Sequence, residues 1–117
     1  MERVQFITHR GTKVLKVDLS HGASVEDNIG TLHKVKTVIS TKPPRSLLIL
    51  MDVTKTRFNI SAVEELKNFS KFITPFVKAS AVMGAVGIIY DAVVRLVGRD
   101  IARFDTEEQA LDWLAEQ

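Results

Sequence analysis

The chain predicts an α/β fold, a mixed sheet of five strands with about four helices packed on it, and three features lead there. Leu47 to Met51 is an unbroken apolar run, which suits a strand covered on both faces. Two alternating segments, Val4 to His9 and Lys13 to Leu19, flank Gly11 near the start of the chain. Beyond them, helical spacing alternates with short apolar strands, the pattern of βα units joined by right-handed crossovers.

The first two segments read as an antiparallel hairpin. In the second, Leu15, Val17 and Leu19 share one face and Lys16 and Asp18 the other, so one side is expected on a core. Ser24 precedes Val25, Ile29, Leu32, Val35 and Ile39, whose steps of three and four make one helical stripe, and Asp27 stands in the N-terminal turn. This helix is expected from about Val25 to Ser40. Pro43 and Pro44 forbid its continuation and impose extended chain before Leu47. Leu47 to Val53 is then the centre of the sheet. After the polar stretch Asp52 to Asn59 comes a second helix, with Ala62, Val63, Leu66, Phe69 and Ile73 inward, Lys67 and Lys71 in water, and Pro75 at its exit. Lys78 to Met83 is a buried strand. Gly84 and Gly87 bracket the turn into a helix from about Ile88 to Val97, which Gly98 ends. Ile101 to Phe104 is the last strand, and Thr106 with Gln109 forms a capping box for a final helix whose apolar face is Ala110, Leu111 and Leu114.

With 117 residues and 45% hydrophobic content the chain can bury one core, so a single domain over 1–117 is expected. No basic segment followed by an apolar run opens it, and Gly84, Gly87, Asp91 and Arg95 interrupt its most apolar stretch. Neither a signal peptide nor a transmembrane segment is expected, and the chain reads as cytoplasmic. Zero cysteines exclude disulfides, thiolate zinc sites and cysteine nucleophiles. His9, His21 and His33 lack the spacing of a shared metal site, so no metal and no cofactor is expected. The net charge of +2 is uneven: residues 1–104 carry 16 bases against 9 acids, and Asp105 to Gln117 holds five acids and no base. With bases scattered and aromatics at 7%, no nucleic-acid groove is expected. Arg95, Arg99 and Arg103 recur every four positions but cross Gly98, and read as solvated charge.

Three stretches resemble a known family over nearly the whole chain: Met51-Asp52-Val53-Thr54-Lys55-Thr56-Arg57-Phe58-Asn59, Lys78-Ala79-Ser80-Ala81-Val82, and Phe104-Asp105-Thr106-Glu107-Glu108-Gln109-Ala110-Leu111-Asp112-Trp113-Leu114. They are similar to the SpoIIAA-like proteins, which belong with the STAS domains and have been compared with the lipid-binding CRAL-TRIO fold. The resemblance implies a STAS-like sheet and a non-enzymatic regulatory or protein-interaction module like the anti-sigma-factor antagonists. In those proteins a Ser beside a Gly at a helix start, after an acidic loop, is phosphorylated by a partner kinase. The matching stretch is Asn59-Ile60-Ser61-Ala62, which puts Ser61 at that position, with Asn59 in place of an Asp and Ala62 in place of the Gly.

Each candidate site also has a structural explanation. Ser61 to Glu64 spells a capping box by itself. Asp52 and Thr54 end the central strand at the edge where α/β sheets hold ligands, and with Asn59 they form a candidate loop site; an Asp there also serves by accepting hydrogen bonds from turn amides. No His or second carboxylate is placed by spacing beside Asp52, so no catalytic residue is assigned. Gly84 and Gly87 offer amides to an anion, or simply make a tight turn. The helix Ile88 to Val97 is apolar around more of its circumference than a surface helix needs. Gly84, Gly87, Ile88, Tyr90, Val94 and Val97 are therefore a candidate surface for a protein partner, a second copy of the chain as a homodimer, or a small apolar or lipid-like ligand, with deeper burial of the helix as the structural explanation.

Overall fold

The computed structural model describes residues 3–20, 24–54, 60–84 and 101–117. Strands β1 (Val4–His9), β2 (Thr12–Asp18), β3 (Leu47–Asp52), β4 (Val77–Met83) and β5 (Ala102–Phe104) form one sheet in that order. β1 and β2 are antiparallel, and β2 through β5 run parallel. The helices are α1 (Val25–Ile39), α2 (Ile60–Ile73) and α3 (Glu107–Ala115), with a 3-10 turn at Thr74–Phe76. Four helices are expected from the sequence and three lie among the described residues; Ile88 to Val97 falls outside them. The class is as expected, a mixed α/β sheet with β3 in the middle.

Local chemistry accounts for the element ends. His9 pairs with Thr12, so the hairpin closes over Arg10 and Gly11, both at positive φ (52° and 76°), as a type I′ turn requires. The Ser24 hydroxyl accepts from the Asp27 amide at 3.1 Å to start α1, and Thr106 does the same for Gln109 at 3.2 Å to start α3. Beyond α1 the chain makes a turn rather than the expected extended run. Arg45 has φ +50°, the Ser46 hydroxyl donates to the Pro43 carbonyl, and the Arg45 and Ser46 amides donate to the carbonyls of Pro75 and Phe76. The two prolines restrict themselves and the residues before them, and leave Arg45 free to turn. A bulge follows in β4: Leu47 pairs with Val77 and Leu48 with Ala79, which sets Lys78 outside the ladder, where its ammonium reaches the Gln117 carbonyl at 2.8 Å.

The core has two layers. On one face Leu15, Val17 and Ile49 meet Leu32, Val35 and Ile39 of α1 and Leu66, Phe69 and Ile73 of α2. On the other, Val14, Leu50 and Ala81 meet Ala110, Leu111 and Leu114 of α3. The hairpin is therefore not one-sided as its alternation suggests. α3 crosses back over the second face, buries Val14 completely and covers Lys16.

Candidate functional site at the carboxyl edge of the sheet

β2, β3 and β4 end level with one another, since Asp18 pairs with Asp52 and Asp52 with Met83. Two backbone bonds carry the ladder one residue further, Leu19 amide to Asp52 carbonyl at 2.8 Å and Val53 amide to Met83 carbonyl at 3.0 Å. The exits of three parallel strands are thus held side by side, the place where α/β sheets bind ligands.

Each carboxylate at this edge organises the turn after it. Asp18 Oδ1 accepts from both the amide and the hydroxyl of Ser20, at 2.8 and 2.5 Å. Burial pushes this carboxyl up, but the Ser20 hydroxyl and amide, with Arg3 and Lys16 nearby, outweigh it and hold the group below its ordinary value. Asp52 Oδ1 accepts from the Thr54 amide at 3.0 Å, the turn contact expected of an Asp at that position. Gly84 then closes against Thr54. Its φ is +76°, and a Cβ there would lie 2.1 Å from Thr54 Oγ1 and 2.6 Å from Thr54 Cα, so the glycine is needed for a close approach as well as a turn.

A charged pair braces the same face. Lys16 Nζ lies 2.5 Å from Glu107 Oε1 at the start of α3. The hydrogen bond to Glu107 holds the ammonium above its ordinary value; burial opposes this, and the charges of Glu107, Asp18 and Asp52 reinforce it.

α2 begins at Ile60, so Ser61 is its second residue and sits within the first turn rather than at the capping position assigned to it by the Ser61 to Glu64 pattern. Asn59 lies outside the described residues, as do Gly87, Ile88, Tyr90, Val94 and Val97. Among the described candidates the structure therefore brings Asp52, Thr54 and Gly84 together at one edge.

Asn28 is the residue that sequence reading misses. It lies in the first turns of α1, one turn before Leu32 on the inward stripe, 5% exposed, and neither atom of its amide has a partner among the described residues. Its only signal is a polar residue in an apolar register. A buried polar group left unpaired costs about 1–3 kcal/mol. Asn28→Leu is accordingly expected to raise the thermal midpoint by roughly 3–10 °C; a melt followed by circular dichroism checks this, and a lowered midpoint would mean that the amide is satisfied in solution.

Among the described residues, no three His, Asp or Glu side chains are placed to hold a metal ion, and no helix is long and apolar enough to cross a membrane. His9 Nε2 meets Asp112 Oδ1 at 2.7 Å, with Arg10 at 3.3 Å from the same oxygen, but this cluster is at the hairpin end, where it fastens the turn to α3. No protein-family model and no curated protein matches the chain.

Proposed function

We propose that this protein is a non-enzymatic, STAS-like regulatory module that binds a protein partner at the carboxyl edge of its sheet and is switched by phosphate on Ser61. One observation carries the reading. The backbone of Ser61 lies in the first turn of α2, the next described element along the chain after the Asp52–Thr54 exit of the central strand, and that turn contains no acid. The first turns of α1 and α3 hold Glu26 with Asp27 and Glu107 with Glu108. Their positive ends are already compensated, whereas the first turn of α2 supplies no acid, so an added anion there gains an interaction worth about 0.3–1 kcal/mol per charge. Phosphate brings nearly two negative charges to an edge that already carries Asp18 and Asp52, and so changes what that edge attracts. The hairpin followed by βα units fits the STAS-like fold. Asp18 and Asp52 are engaged in holding turns, which suits a binding edge better than proton transfer.

Incubation with ATP and a lysate from the source cells, followed by intact mass measurement, is expected to add one phosphate to the wild type and none to Ser61→Ala. Ser61→Asp is expected to release a partner that Ser61→Ala retains. Wild-type protein that gains no phosphate, together with equal partner retention by both variants, rules the switch out.

A further inference from the structure

The opposite end of the sheet, where the parallel strands begin, carries a surface independent of the carboxyl edge. The loop after α1 and the 3-10 turn after α2 are joined there by the Arg45 and Ser46 amides, at 3.0 and 3.1 Å from the carbonyls of Pro75 and Phe76. On this frame Phe72 is 42% exposed, the one large apolar side chain left open among the described residues, and its ring lies 6.1 Å from that of Phe76. Lysines gather on the rings. Lys36 Nζ is 5.6 Å from the centre of Phe72, and Lys13 and Lys42 are 5.3 and 5.1 Å from the centre of Phe6. Arg45 in the loop after α1 and Lys71 in the last turn of α2 are exposed as well.

The charge is one-sided. No Asp or Glu occurs from Asn28 to Met51 or from Leu66 to Gly84, the stretches that build this surface apart from Phe6 and Lys13. Helix dipoles explain only Lys36 and Lys71, the single bases in the last turns of α1 and α2. Lys13, Lys42 and Arg45 lie outside any helix.

We infer that this end docks on an anionic lipid bilayer. Cations with no ion-pair partner among the described residues, set around one exposed aromatic, complement a layer of negative headgroups over an apolar interior. Phe72 enters the boundary, and the lysines around it reach the phosphates. A nucleic-acid strand fits less well, because stacking needs open ring faces, and Phe6 already carries two ammonium groups and Phe72 one.

The test is sedimentation of the full chain with phosphatidylcholine vesicles, with and without phosphatidylserine in a quarter of the lipid. Binding is expected only with phosphatidylserine, falling as salt rises. Lys42→Gln and Lys71→Gln should each weaken it about fivefold. Phe72→Ala, which leaves the charge unchanged, should weaken it about threefold or more. Circular dichroism confirms that each variant is folded. Equal binding to the two vesicle types, no binding to either, or no loss in all three variants overturns the inference, as does tighter binding of a uridine homopolymer or a polyglutamate peptide.

Discussion

Adding one methyl group at Gly84 is expected to destabilise the protein by about 2–5 kcal/mol. Two costs combine in Gly84→Ala. The backbone there has φ +76°, a conformation that costs a residue with a Cβ about 1–2 kcal/mol. The new carbon would also lie 2.1 Å from Thr54 Oγ1, which can rotate away, and 2.6 and 2.7 Å from Thr54 Cα and N, which cannot. Overpacking of this kind costs about 1–3 kcal/mol more. A domain of this size is held by roughly 5–15 kcal/mol, so a large part of the total would be lost. The urea midpoint reads the effect. Thr54→Ala removes only the hydroxyl clash and should restore a minor part of the loss; full rescue would show that the backbone approach is not the cause.

Phe69→Ala is expected to cost about 3–5 kcal/mol, whereas Phe72→Ala, three residues along the same helix, should change stability by no more than about 0.5 kcal/mol. Phe69 is fully buried in the layer that α1 and α2 share with the sheet, so truncation leaves a cavity among Val35, Leu66, Ile73 and the apolar faces of β2 and β3. Phe72 faces outward. Urea titration of the two variants makes the comparison, and equal midpoints would contradict the placement of α2. Hydrogen exchange should show the loss in Phe69→Ala concentrated along α2, because that ring anchors the helix carrying Ser61 at one end and Phe72 near the other.

Features that depend on neighbouring residues were legible in the sequence. The Leu47 to Met51 run marked the central strand, the 3.6-residue stripe marked α1 and α2, and Ser24 and Thr106 marked where helices start. Features that depend on residues distant in the chain were not. Alternation in β2 reports that one face is apolar but not that α3 returns over the other, so the pairing of Lys16 with Glu107 could not be read. The bases looked scattered in order along the chain, and only the fold gathers Lys13, Lys36 and Lys42 onto two aromatic rings. At the candidate site the turn role of Asp52 was legible, because an Asx turn needs only the next two residues. Ser61 falls inside α2 rather than ahead of it because a capping pattern is short enough to occur within the first turn, and Asn28 was missed because nothing local shows whether a buried amide finds a partner.

Among the described residues the two borders of the sheet are unequal. β5 offers three residues and β1 offers six. A strand edge is a template for another strand, and brevity is one way proteins blunt it. An extended peptide or a second copy seeking to lengthen this sheet would therefore find its longer run of backbone donors and acceptors along the hairpin, and any tendency of the protein to aggregate through strand pairing should start there, with Gln5 and Thr8 as the positions where a charge would suppress it.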